Sequence, residues 1–438
     1  MHGTCSAKSR KEQSVYIPHL LGSIGEHMTS TKILGMPVEK GRWLLVITGM
    51  IINLCLGTIY SWSVFQNPLK KYFEGLGTTP TDAQLLLAYS IFLACFAIAM
   101  PMTGKYIEKY GPRTITILGG LLTGFGWLSA SFSPGIEFMY FTYGVIGGIG
   151  VGIAYGCPIA VSTRWFPDKK GLAVGLTVLG FGFSAFFTAN IANALIGSVG
   201  VMGTFRIFGI IFLVLIPLLA LPMVFPPQGW APENWTPQQS AKRTEKKKEY
   251  TREDMIKTPV FYGLWFSFFI GCLAGLMAIG ISKQVSAEVA VPVEISAMLV
   301  GFFAIFNGLG RPAFGKITDM LGPKKTAMIS FGLIAISSLC MSIAPSVPVY
   351  LCSFAVLWGC LGGWLAIAPA ATATYFGTKD YPRCYGVVFV AYGAGAIAGP
   401  QLAGYIKDTT SSYLNVFPYV CGLALVGLLI AYFLLKEN

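Results

Sequence analysis

The chain has 438 residues, 54% of them hydrophobic and only 11% charged, with a mean hydropathy of +0.64. A soluble domain carries about 25% charged residues, so this composition excludes a water-soluble enzyme and calls for a lipid bilayer as the main solvent. The net charge of +12 does not signal nucleic acid, because the basic residues collect between apolar runs.

Residues 1–40 hold Lys8, Arg10, Lys11 and Lys32 but no apolar stretch long enough for a signal peptide, and they read as a cytoplasmic tail. A helix crosses the bilayer core with about 20 apolar residues. Runs of that kind are expected at 43–65, 82–103, 114–132, 137–160, 171–194 and 204–225, forming an N-terminal six-helix bundle over 41–226. The segment 227–258 contains the mixed-charge run Lys242-Arg-Thr-Glu-Lys-Lys-Lys248 and reads as a flexible cytoplasmic linker. Spans at 259–282, 295–315, 325–343, 348–371, 384–404 and 413–435 then form a C-terminal bundle over 259–438. Membrane β-barrels show short alternating segments, whereas 207–224 is continuously apolar. The expected fold is therefore an all-α membrane protein of twelve transmembrane helices. Gly144, Gly148 and Gly152 share one helix face at four-residue spacing, which suits close packing in lipid.

His2, His19 and His27 all precede the first span, and the ten cysteines are scattered without a C-x-x-C pair. Neither a metal nor a cofactor is expected from such a pattern.

An internal repeat divides the chain. Gly104-Lys-Tyr-Ile-Glu108-Lys-Tyr-Gly111-Pro-Arg113, after the second span, is echoed by Gly315-Lys-Ile-Thr-Asp319-Met-Leu-Gly322-Pro-Lys324 after the eighth, at an offset of 211 residues. Arg164-Trp-Phe-Pro-Asp168-Lys-Lys170 has a weaker echo in Thr374-Tyr-Phe-Gly-Thr-Lys-Asp380. The twelve helices are thus two six-helix pseudo-repeats. Lys and Arg crowd the loops after spans 2, 4, 8 and 10 and avoid those after spans 3, 5 and 9, which places both termini in the cytoplasm of a multi-pass inner-membrane protein.

An ionisable side chain inside a span is costly and marks function by default. Arg311, in Asn307-Gly-Leu-Gly-Arg311-Pro312 of the eighth span, is the residue of this kind away from the span ends; its repeat partner is Met100. A permanently charged guanidinium presents a planar donor fork that matches a carboxylate. Asn307 lies one turn earlier on the same face, placed to bond the substrate or Arg311. Tyr60, Tyr143, Tyr155, Tyr392 and Trp364 supply aromatic rings with polar tips, suited to a cage around a small organic anion.

The paired loops Gly104, Glu108, Arg113 and Gly315, Asp319, Lys324 resemble the loop motif of the major facilitator superfamily, and the likeness covers nearly the whole chain. It implies that these loops gate a rocking, alternating-access carrier working as a monomer. Within the superfamily, Ile59-Tyr60-Ser61-Trp62, Gly150-Val-Gly-Ile-Ala-Tyr155-Gly156 and Arg164-Trp-Phe-Pro-Asp-Lys-Lys-Gly171 resemble the oxalate/formate antiporter group, close to monocarboxylate transporters. The resemblance implies Arg311 on a substrate carboxylate with Tyr60, Tyr143 and Tyr155 in the cage. It also implies a second cation in the eleventh span, where this chain has Tyr392, and Leu361 and Leu365 stand where the group has cage aromatics. One fixed charge balances a monoanion better than a dianion. The expected substrate is lactate, pyruvate, formate or a similar monocarboxylate, moved by proton symport or by anion exchange; oxalate/formate exchange and an unrelated solute are the alternatives.

Overall fold

The computed structural model describes residues 32–33, 35–227, 230–232, 249–377 and 380–435. Most of the expected tail with its histidines, the charged run Lys242 to Lys248, and Lys379 lie outside the described residues.

Among the described residues, nine helical runs are long and apolar enough to cross a membrane. Two of them, Lys170–Ala220 and Val293–Ile343, are 51 residues long. A straight helix of that length would reach about 77 Å, more than twice the roughly 30 Å of a bilayer core. Each turns back at a glycine with a left-handed backbone, Gly200 at φ 73° and Gly322 at φ 81°, a conformation that a side chain at Cβ penalises. We therefore label the helices α1 Val38–Gly75, α2 Asp82–Tyr110, α3 Pro112–Ala130, α4 Ile136–Trp165, α5 170–199, α6 201–220, α7 Pro259–Glu288, α8 293–321, α9 323–343, α10 Val347–Phe376, α11 Tyr381–Thr410 and α12 Tyr413–Leu434.

Gly322 is the second glycine of the repeated loop motif, and Gly111, its counterpart in the first copy, also has φ 81°. Both are followed by proline, which has no N–H to lose at a helix start. The motif thus encodes a sharp reversal between α2 and α3 and again between α8 and α9.

Several helices run past the apolar spans read from the sequence. α1 begins at Val38 and continues to Gly75 through a tighter 3₁₀ turn at Gly57–Ser61. Its entry is a small hairpin in which Lys32–Ile33 pairs with Met36–Pro37, and Ile33 is buried against the turn at Gly41. Part of the expected tail is thereby packed on the first helix.

The small-residue face of α4 packs as its spacing suggests. Positions that a Cβ would occupy at Gly144, Gly148 and Gly152 meet Ile91, Phe92 and Ala99 of α2. Gly150 faces Thr123 of α3 instead.

α1–α6 and α7–α12 meet mainly where α2 lies along α11 and α5 lies along α8. Polar bridges between them concentrate at the end away from the loop motifs, called here the opposite face. Asp408 of α11 accepts from the backbone N–H groups of Asp82 and Ala83 at 3.0 and 3.1 Å. Gln66 donates to Tyr413 at 3.1 Å, Gln284 to the Ser63 carbonyl at 2.9 Å, and Gln401 to the Ala83 carbonyl at 3.2 Å.

At the motif face the strong polar contacts stay within each half. Arg42, at the start of α1, is buried and grips Asp168 of the α4–α5 loop through two hydrogen bonds of 2.7 and 3.0 Å; it also donates to the Trp165 carbonyl and lies over the Phe166 ring. Asp380, in the corresponding loop of the second half, accepts from the backbone N–H of Arg252, just before α7. Each acid ties down the entry to the first helix of its half, although the two are out of register by two positions in the weaker sequence echo.

Candidate substrate site

Arg311 sits in α8 with 6% of its surface exposed. Its Nη1 donates to the Val178 carbonyl of α5 at 2.8 Å, across the boundary between the halves. The guanidinium carbon lies 5.9 Å from the centre of the Phe181 ring, one turn further along α5. Nε and Nη2 are buried and have no hydrogen-bond partner, and no carboxylate pairs with Arg311 among the described residues. Burying a cation without a counterion is costly by several kcal/mol. Nε and Nη2 are thus available to an acceptor.

The surrounding wall is aromatic. Tyr60 and Tyr392 share a hydrogen bond between their hydroxyls at 3.1 Å, joining α1 to α11. Tyr60 meets Phe181 edge-on at 5.1 Å and Trp358 at 6.3 Å. Tyr155 packs edge-on against Phe96 at 5.2 Å and Phe181 at 5.3 Å. Phe96 also reaches Tyr392 and Phe389, and Phe389 stacks on Tyr392 at 5.1 Å. Arg311, Tyr60, Tyr155 and Tyr392 are thus brought together by Phe96 and Phe181. Neither phenylalanine is conspicuous in the sequence, because an isolated Phe in an apolar helix is indistinguishable from packing.

The 3₁₀ turn of α1 sends its aromatics in two directions. While Tyr60 faces the second half, Trp62 stacks on Tyr143 at 5.0 Å. Tyr143 lies in a π-helical stretch of α4, Tyr140–Gly147, and also packs against Phe92, Trp127 and Phe205. The structure places it inside the first half, without a contact to Arg311. Trp364 likewise packs inside the second half, against Phe331 at 5.1 Å and over Gly271. Asn307 spends its Nδ2 on the Trp358 carbonyl at 3.0 Å, fastening α8 to α10 rather than reaching Arg311. The glycines Gly182 and Gly362 leave it the room, since a Cβ on either would collide with Asn307.

Trp358, a further polar-tipped aromatic of the sequence, and Lys283, which stands out only in three dimensions, border this wall. Trp358 adjoins Tyr60 and donates its Nε1 to Ser282 Oγ of α7 at 3.0 Å. Lys283, next to Ser282, extends to Asn193 of α5. The hydropathy of α7 hides this cation near a span end.

Of the loop-motif residues, Glu108 forms an ion pair with Arg164 at the end of α4. Arg113 keeps a buried Nε without a hydrogen-bond partner among the described residues. Lys324 lies 4.9 Å from the Tyr432 ring centre, and Asp319 is exposed without a hydrogen-bond partner among the described residues. Gly104 has open space where a Cβ would sit, while Gly315 lies at van der Waals distance from Ala366. The first motif is therefore anchored in its own half.

The family model of the Major Facilitator Superfamily matches residues 49–289 and again 280–438. The chain belongs to the major facilitator superfamily. It is a multi-pass membrane transporter rather than an enzyme. The superfamily member is 28% identical to the oxalate:formate antiporter of Oxalobacter formigenes, over 86% of each chain. It is 24% identical to human monocarboxylate transporter 12, over 88% of this chain and 78% of the relative. Its fold matches the crystal structure of a D-xylose-proton symporter at a TM-score of 0.71 and 13% identity, covering 90% of this chain and 98% of the other.

Proposed function

We propose that this transporter carries a small carboxylate by alternating access, with Arg311 as the anchor. The observation that carries the reading is a buried guanidinium with Nε and Nη2 unbonded inside an aromatic enclosure. A carboxylate completes such a fork and neutralises it. Tyr60 and Tyr392, whose hydroxyls already bridge the halves, then hold the anion's second end, and Phe96 and Phe181 exclude water. Tyr143, Trp364 and Asn307 act one layer out, keeping the helices of each half in register.

A single charged anchor favours a monocarboxylate such as lactate, pyruvate or formate over a dianion. The kinship with an oxalate:formate antiporter keeps oxalate as the second reading. The loop-motif face is assigned to the cytoplasm of a plasma or inner membrane, from the positive-inside bias of its loops. Closure of the opposite face by Asp408, Gln66, Gln284 and Gln401 then corresponds to an inward-directed state. Glu108 and Arg113, with Asp319 and Lys324 in the second half, are proposed to engage when the motif face closes in turn.

Uptake of radiolabelled lactate, pyruvate, formate and oxalate into proteoliposomes, with and without an imposed pH gradient, tests this. Flux of at least one monocarboxylate is expected. A pH-driven rate indicates symport, and flux that needs internal anion indicates exchange; absence of flux for all four acids would refute the carboxylate assignment.

A further inference from the structure

Lys283 lies in α7, five residues before the helix ends at Glu288. Its ammonium donates to Asn193 Oδ1 of α5 at 2.9 Å, bridging the two halves on the opposite face. Three acids of that face are engaged elsewhere. Glu288 accepts from Lys407 at 2.7 Å, Ser412 at 2.7 Å and the Tyr413 backbone. Asp82 holds Lys70 at 3.1 Å, and Asp408 caps the start of α2. Among the described residues no carboxylate is within ion-pair distance of Lys283. A half-buried cation is therefore held by a neutral amide alone.

That choice of partner matters chemically. An aspartate at position 193 would make a stronger latch but would also cancel the charge. The amide oxygen holds the ammonium weakly enough for an incoming carboxylate to displace it, because charge-assisted hydrogen bonds are about twice as strong as neutral ones. The same turn of α7 also reaches the wall of the site. Ser282, adjacent to Lys283, accepts from Trp358, and Trp358 packs on Tyr60.

The geometry points to Lys283 as a second substrate-binding residue, which receives the carboxylate at the opposite-face entrance once α5 and α7 separate and before the anion reaches Arg311. The inference rests on the carboxylate reading above. It makes the site asymmetric, with Lys283 serving entry from one face only, since entry from the motif face does not pass the Lys283–Asn193 bridge.

The test compares uptake by intact cells, which loads the opposite face, with uptake by inside-out vesicles, which loads the motif face, using whichever of lactate, pyruvate, formate and oxalate the wild type carries. Lys283→Gln keeps an N–H donor on a side chain one bond shorter and removes the charge. Its half-saturating concentration is expected to rise about ten- to a hundredfold in cells and to stay near wild type in vesicles, which also shows that the variant is folded. Lys283→Arg should recover most of the loss. Asn193→Asp should impair entry in cells in the same way, by giving the ammonium an internal counterion. Unchanged half-saturation in both preparations, or an equal rise in both, would overturn the inference while leaving the carboxylate reading intact. No wild-type flux of any of the four acids would overturn both.

Discussion

Tyr60 and Tyr143 are alike in the sequence as polar-tipped aromatics within spans, and the structure separates them. The Tyr60 hydroxyl is bonded to Tyr392 across the two halves, whereas that of Tyr143 is buried without a partner among Trp62, Phe92 and Trp127. A neutral hydrogen bond contributes about 0.5–1.5 kcal/mol, so Tyr60→Phe is expected to raise the half-saturating concentration about two- to tenfold. Tyr143→Phe should leave it within about twofold and keep or raise thermal stability, since it removes an unsatisfied buried hydroxyl. Transport kinetics of the two variants side by side check this; equal losses would place Tyr143 in the site. Arg311 was legible because charge in a membrane helix is rare. Phe96 and Phe181 were not, because their role depends on which helices meet, and no periodicity within one helix encodes that.

At the scale of the element, the loop motifs were the most legible part of the fold. Their second glycines take left-handed backbones and their prolines start the next helices, so the local chemistry dictates the reversal. The helix ends were less legible. α1 extends well beyond its apolar span because its polar ends are held by tertiary partners, notably Arg42 on Asp168. Burial pushes the Asp168 carboxyl up, but the hydrogen bonds and charge of Arg42 outweigh this and hold it below the usual carboxylate value. The depressed value means that the pair stabilises the fold above about pH 4, the ordinary range of an unfolded aspartate, and stops doing so as pH falls through the folded value. Asp168→Asn should therefore cost about 1–3 kcal/mol at pH 7, with the gap to wild type closing as the pH drops below about 4. Thermal unfolding in detergent across that range is the check, and a gap independent of pH would contradict it.

For the whole molecule, the duplication and the membrane setting were readable from composition and repeat, because both are properties of the chain in bulk. The conformation was not, since it depends on small differences between contacts in alternative packings. On the opposite face, Asp408 places a negative charge at the positive N-terminus of α2. Such a contact contributes about 1 kcal/mol, so Asp408→Ala should shift the population toward opening of that face by about fivefold. Distance distributions between spin labels on the α1–α2 and α11–α12 loops would show the shift, and unchanged distributions would deny the latch its role.

The free donors of Arg311 are proposed to hold the transported carboxylate. The most direct measurement is flux of the carried acid into proteoliposomes by wild type, Arg311→Lys and Arg311→Ala. Losing one partner of a buried charge pair costs about 2–5 kcal/mol. The alanine variant is therefore predicted to lose at least about thirtyfold in apparent affinity, with lysine intermediate because it keeps the charge but not the fork. Wild-type affinity in the alanine variant would remove Arg311 from the carboxylate site.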